Sequence, residues 1–380
     1  MDKLSRPIYL DCNATTPIDP RVRELLLHYL DIEFGNAGSR THIYGQEARR
    51  GVQTAREQVA SVVNAAPDEV IFTSGATEAN NLAILGLAQF GQKTGRKHIL
   101  STQIEHKAVL EPLEEMARRG FEVELVPPTR GGFVEAEEFA KRIRRDTLLV
   151  SVMHVNNETG VIQPLDEIAE VLKGFNAYFH VDAAQGFGKE PQLLKISGID
   201  AIAISGHKIH APVGIGALIT RKHRKFHRLL NSLWFGGGQE MGKRPGSLPT
   251  SLIAAFGASA ILAHQEFGSR VKHWEKIRRL FLKSLEGLPY QLNGDQSRVL
   301  RNVCNFYINN VDAEYFILRT KQQIAISTGS ACTASAIEPS HVLSAMRLSS
   351  NEIDCSCRAS WCHLTPIDGL KDLSLKQLVV

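Results

Sequence analysis

Between residues 70 and 220 two kinds of hydrophobic pattern alternate along the chain. Short apolar runs (Val70-Ile-Phe-Thr, His98-Ile-Leu-Ser, Val123-Glu-Leu-Val, Thr147-Leu-Leu-Val-Ser-Val, Ala177-Tyr-Phe-His-Val and Ala201-Ile-Ala-Ile-Ser) have the length and continuity of strands covered on both faces. Longer stretches with helical spacing lie between several of them: Glu78 to Gln89, Ala108 to Arg118, Glu135 to Arg145 and Leu165 to Lys173. This alternation predicts an α/β fold with a mainly parallel sheet and helices on both faces. Ligands of such sheets sit beyond the carboxyl ends of the strands, which directs attention to the residues that follow each run.

Beyond residue 260 the pattern changes to a helix over Arg270 to Leu285, short strands over Asn302 to Ile308, and a Ser/Gly-rich loop over Ile326 to Ser335. The expected organisation is a large domain over 16–260 and a smaller α+β domain made of 1–15 together with 261–380. A length of 380 residues agrees with two domains sharing an interface. Composition, at 43% hydrophobic and 22% charged, excludes a disordered chain or a disulfide scaffold. A net charge of +4 gives no case for direct nucleic-acid contact, which is not expected. Six cysteines are too few to staple a fold of this size, so free thiols in a reducing, cytoplasmic setting are expected. The start, Met1-Asp-Lys-Leu-Ser-Arg-Pro, predicts no signal peptide, and the run from Leu252 to Ala263 is too short for a membrane span.

Polar residues of catalytic type follow nearly every predicted strand. In Ser205-Gly-His-Lys-Ile-His, Lys208 stands at the mouth of a buried strand, where a desolvated amine loses its proton and forms a Schiff base with an aldehyde. A surface lysine is the ordinary alternative. Asp182 ends another strand, and a carboxylate paired with a ring nitrogen is what pyridoxal phosphate requires, although a helix cap would use the same residue. Ser74-Gly-Ala-Thr-Glu lets Thr77 and helix N–H groups hold a phosphate, or marks an ordinary helix start. His106 is placed to stack on a cofactor ring or to lie solvated in a loop. Cys332, in Ser327-Thr-Gly-Ser-Ala-Cys-Thr-Ala-Ser, sits among small residues with little apolar surroundings, which favours a reactive thiol in a mobile loop over an inert buried one.

Together these segments resemble the pyridoxal-phosphate cysteine desulfurases, of the class V aminotransferase fold (fold type I). The resemblance runs in order through Tyr9-Leu-Asp-Cys-Asn-Ala-Thr-Thr-Pro, Thr73-Ser-Gly-Ala-Thr-Glu, Glu105-His-Lys, Asn156-Asn-Glu-Thr-Gly, His180-Val-Asp-Ala-Ala-Gln and Ser205-Gly-His-Lys. It continues through Gly236-Gly-Gly-Gln-Glu, Arg244-Pro-Gly-Ser, Gly329-Ser-Ala-Cys-Thr and Cys357-Arg-Ala-Ser. The resemblance implies that Lys208 binds the cofactor and later moves the substrate α-proton, that Asp182 holds the pyridine nitrogen, and that His106 stacks on the ring. It assigns Gln185 and Asn157 to the ring oxygen, with Asn157 also near the substrate. Thr77, Ser205 and His207 fall to the phosphate. Arg358 matches the arginine that grips the carboxylate of L-cysteine, and Cys332 the thiol that becomes a persulfide as alanine leaves. Ser247 takes the place of a threonine that reaches the neighbouring subunit's phosphate, so a homodimer is implied.

The match has departures. Gly-Pro-Lys-Gly of the family is Ala211-Pro-Val-Gly here, and only twelve residues follow Asp368, where housekeeping desulfurases carry a tail for docking an iron–sulfur scaffold. Gly35-Asn-Ala-Gly-Ser-Arg-Thr-His, the sequence after Asp182 and the cysteine-bearing end look most like desulfurases that supply sulfur for DNA phosphorothioate modification. The expected partner is a sulfur-accepting protein, an iron–sulfur protein of such a system being one candidate. Alternatives are sulfur supply for iron–sulfur clusters or tRNA thiolation, a selenocysteine lyase, a small-amino-acid aminotransferase, or a catalytically silent scaffold. Cys355-Ser-Cys357 and Cys362-His363 match no standard zinc spacing, so no metal site is expected and structural thiols are favoured. The basic run Arg221-Lys-His-Arg-Lys-Phe-His-Arg reads as a solvated face or a partner-docking patch rather than a DNA contact.

Overall fold

The computed structural model describes residues 6–328 and 339–376. Its principal sheet has seven strands, in spatial order Val70–Thr73, Gly216–Thr220, Ala201–Ser205, Tyr178–Asp182, Thr147–Met153, His98–Thr102 and Glu122–Val126. The last five of these run parallel, and Gly216–Thr220 is antiparallel to both of its neighbours. Side chains divide between the two faces by the period of two that a strand imposes. Val70, Phe72, Phe179, Val181, Ile202 and Ile204 enter one apolar cluster. Ile71, Tyr178, Ala201, Ala203 and Leu218 enter the cluster on the opposite face. Both faces are therefore buried, as parallel strands require.

Helices Ala76–Leu85 and Lys107–Arg118 contribute Ala79, Leu82, Val109 and Leu113 to the second cluster. On the other face lie Ile43–Val62 and Thr250–Gln265, which pack closely. A Cβ at Gly257 would meet Ala55 Cα at 2.5 Å, so glycine is what lets these two helices approach.

A second sheet of four antiparallel strands has the order Ser327–Thr328, Ser356–Ser360, Val303–Ile308 and Tyr290–Leu292. Trp274, Phe281, Phe306, Phe316 and Trp361 form its core, and Leu10 from the chain's start joins them. The short strand Ile8–Tyr9 pairs in parallel with Ile324–Ala325. Helix Thr250–Gln265 passes through residue 260 and is followed at once by Phe267–Ser284.

The predicted strand at 70–73 matches, and those near 98, 123, 147, 177 and 201 agree to within a residue or two at their ends. Gly216–Thr220 was not foreseen. No α-helix separates it from its predecessor, because it returns antiparallel beside Ala201–Ser205. Among the described residues, Cys12, Cys304, Cys355, Cys357 and Cys362 are free and buried, and no helix is long and apolar enough to cross a membrane.

Candidate active site

A cavity of about 400 Å³ opens at the carboxyl ends of the parallel strands. Thr77, His106, Asn157, Asp182, Gln185, Ser205, His207, Lys208 and Arg358 line it together. These residues lie as far as 281 positions apart in the chain, and strand register sets the level of those that follow the parallel strands. Met153, Asp182 and Ala203 are matched across three neighbouring strands. The chain beyond each enters the cavity.

Lys208 closes the one-turn segment Gly206–Lys208 that follows Ala201–Ser205. Its Nζ donates to the carbonyls of Asn13 at 2.6 Å and Ala14 at 2.7 Å, so the chain's start holds the amine at the cavity wall. Asp182, 5% exposed, accepts from Asn80 Nδ2 and from Ala184 N, both at 2.9 Å. Two neutral donors steady this buried carboxylate without neutralising it, which leaves it able to pair with a cationic ring nitrogen. Asn80 is fully buried, and its Oδ1 has no hydrogen-bond partner among the described residues.

His106 caps the helix Lys107–Arg118, its Nδ1 accepting from Ala108 N at 3.0 Å. This bond sets the ring's orientation and leaves the proton of a neutral imidazole on Nε2. Thr77 lies in the first turn of Ala76–Leu85, where N–H groups and the helix dipole favour an anion. Ser205 and His207 stand opposite. Burial, with Lys208 and Lys189 nearby, pulls His207 down to about 4. A neutral imidazole remains a donor to a phosphate. Lysine, carboxylate, imidazole and helix-terminus donors form a set that fits pyridoxal phosphate.

Arg358 comes from the second sheet and is 2% exposed. Nη2 donates to Asp11 Oδ1 at 2.7 Å and Ser327 Oγ at 2.9 Å, and Nη1 to Asn157 O at 3.1 Å. Its fork thus ties the chain's start, the second sheet and the principal sheet together beside the cavity. Asp11, Asn13 and Asn80 were not singled out by sequence reasoning. Asp11 and Asn13 stand inside a recognised motif, and Asn80 falls just after one, a helical turn beyond Thr77, which was a usable signal.

Ser247 is exposed and does not line the cavity. Its loop is tied to the first turn of Ala76–Leu85 through Arg244 Nε to Glu78 Oε1, 3.1 Å. Cys332 lies outside the described residues. The basic run is partly spent within the fold: Arg221 donates to carbonyls of Val63, Asn64 and Leu194, Lys222 pairs with Asp68, and His223 and Arg224 pair with Asp200. Among the described residues no three His, Cys, Asp or Glu side chains cluster as metal ligands.

Comparison with known proteins agrees with this geometry. The model of the aminotransferase class-V family matches residues 8–373. The chain is 42% identical over 360 residues to cysteine desulfurase IscS of Neisseria meningitidis serogroup C, covering 94% of this chain and 88% of that one. Of solved structures, DndA from Streptomyces lividans is 48% identical with a TM-score of 0.81, over 92% of this chain and 98% of that one. A structure described as SspA in complex with cysteine is 34% identical with a TM-score of 0.82, over 93% and 98%. The chain belongs to the class-V aminotransferases, a pyridoxal-phosphate-dependent family, and within it to the cysteine desulfurases.

Proposed function

We propose that this protein converts L-cysteine to L-alanine at the cavity around Lys208 and passes the sulfur to an acceptor protein through Cys332. The observation that carries this is the convergence in one cavity of Lys208, Asp182, His106, Gln185, Asn157, Thr77, Ser205, His207 and Arg358. Bound there, pyridoxal phosphate supplies an electron-poor ring that stabilises negative charge at the amino acid's α-carbon. Asp182 keeps the ring nitrogen protonated, His106 stacks on the ring face, and Thr77, Ser205 and His207 hold the phosphate. Arg358 binds the substrate carboxylate through its fork of donors, and Lys208 Nζ takes and returns the proton at the α-carbon.

Cys332 is the nucleophile toward the substrate's sulfur. Its thiolate forms a bond to that sulfur while the carbon–sulfur electron pair goes to the substrate's β-carbon, which takes up a proton and leaves as alanine. Support comes from either side of residues 329–338. Ser327 pairs in register with Arg358 and bonds its guanidinium. After the stretch, Ser340 Oγ donates to Glu158 at 2.6 Å and His341 Nε2 bonds the carbonyl of Glu105 at 2.9 Å, beside Asn157 and His106. Alanine formed from L-cysteine and lost in Cys332→Ser, with the cofactor still bound, is the expected result; normal turnover by that variant contradicts it.

We further infer a cytoplasmic homodimer that serves DNA phosphorothioate modification. Phe235 is 96% exposed, with Trp234 and Met241 exposed nearby, and the segment leads to the exposed Ser247. An apolar patch of this kind suits a covered face, and light scattering at the mass of one chain would contradict it. The likeness to DndA supports the pathway, while the likeness to IscS supports iron–sulfur supply as the second reading. Loss of phosphorothioate from DNA on gene deletion, restored by wild type and not by Cys332→Ser, tests the first; retained modification favours the second.

A further inference from the structure

Lys189 carries a buried amine with no part in the steps outlined above. It is 6% exposed and lies in the tight turn that follows Tyr178–Asp182. Backbone bonds from Phe187 N to Ala183 O and from Glu190 N to Gly186 O close helical turns there, so residues four apart share a face. Gln185 and Lys189 are such a pair, and Lys189 Nζ donates to Gln185 Oε1 at 2.8 Å. The other end of the amide, Nε2, donates to Asn13 O at 2.9 Å.

Those two contacts select one orientation of the amide. A backbone carbonyl can only accept and must face the amide nitrogen, which leaves the amide oxygen to accept from the lysine's N–H. Nε2 keeps a second N–H, and Gln185 lines the cavity. With Lys189 removed, Oε1 becomes a buried acceptor in need of a donor, and turning into the cavity to find one withdraws that N–H.

We infer that Lys189 is a positioning residue: by holding Gln185 Oε1 it keeps the free Nε2–H aimed at the ring oxygen of pyridoxal phosphate. The inference rests on the cavity being the cofactor's site, as proposed above. Keeping an amine in this place has a cost. Desolvation, with Lys208 and Arg358 acting the same way and Cys12 and Cys362 opposing, pulls Lys189 down to about 7. A group held against that penalty is a poor source of stability, which leaves orientation of Gln185 as its use.

The test uses the full chain with and without pyridoxal phosphate. Its readouts are the visible spectrum of the lysine-bound cofactor, the cofactor's dissociation constant and the melting midpoint of the apoprotein. Lys189→Met should shift the long-wavelength band and weaken cofactor binding about tenfold, the worth of one well-oriented hydrogen bond. The apoprotein midpoint should stay equal or rise, since a desolvated amine has been removed. Gln185→Leu should produce the same two cofactor effects, and adding Lys189→Met to it should change them by less than about twofold. Lys189→Gln, which keeps a donor, should recover most of the loss. An unchanged band and affinity in Lys189→Met, with Gln185→Leu altering both, overturns the inference and leaves the site standing. If Gln185→Leu is itself silent, the site reading falls and the inference with it. Additive effects, or a lowered apoprotein midpoint that accounts for the weaker binding, give Lys189 a structural role and also overturn it.

Discussion

One wall of the cavity comes from consecutive strand ends of the seven-stranded sheet, and the other from segments far apart in the chain. Along the first wall, Asp182 and Ser205 are placed by ladder register, and His207 and Lys208 follow Ser205 in the single turn that continues its strand. At the second, Arg358 stands in the ladder of the smaller sheet and is tied from behind by side-chain bonds to Asp11 and Ser327 that span up to 347 residues. The difference matches the two tasks proposed. A cofactor needs a rigid cradle, whereas a substrate carboxylate needs a charged fork that can exchange partners.

The comparison predicts different failures for the two walls. Lys208→Ala should reduce alanine formation by about 10³-fold or more and abolish the visible band of the lysine-bound cofactor. An unchanged spectrum would break the assignment of the first wall. Arg358→Lys keeps the charge paired with Asp11 but loses the fork, and should raise KM for cysteine about tenfold or more with the visible band unchanged. A lost band would mean that the walls are not separable.

Glu105 sharpens the comparison through pH. It lies beside His106, fully buried, and accepts from Thr102 Oγ1 at 2.7 Å and Met153 N at 2.9 Å, while Oε2 has no hydrogen-bond partner among the described residues. Burial pushes its carboxyl up to about 8 despite these bonds, with Asp182 adding to the rise. Between the ordinary value of 4.5 and about 8 the folded protein keeps a proton that the unfolded chain has lost. Its stabilising contribution is therefore full below 4.5 and is lost as pH rises through about 8. Glu105→Gln should gain stability over wild type by about 1.4 kcal/mol per pH unit within that window. A pH-independent difference in denaturation free energy would refute a protonated Glu105. Asp11→Asn, the mildest change, should move KM only severalfold, by roughly 1 kcal/mol of lost fork alignment; an effect as large as that of Arg358→Lys would make Asp11 an equal partner.

The same contrast explains what was legible in the sequence. Asp182, Lys208 and the rest of the first wall follow apolar runs directly, so strand pattern alone points to them. Asp11 and the carbonyls of Asn13 and Ala14 carry no periodic signal, because their roles come from contacts with residues hundreds of positions away. Lys189 was missed for another reason: a lysine in sequence reads as a surface charge, and its burial shows only after folding. Arg358 was reached through family likeness, since nothing in a five-residue strand marks an arginine as buried.

Lys208 and Cys332 are proposed to act on one substrate. Intact-peptide mass spectrometry after exposure of the cofactor-loaded protein to L-cysteine without reductant tests it most directly. One added sulfur is expected on the peptide containing Cys332 in the wild type and none in Lys208→Ala. Added sulfur on another cysteine, or on Cys332 in the Lys208→Ala protein, would contradict it.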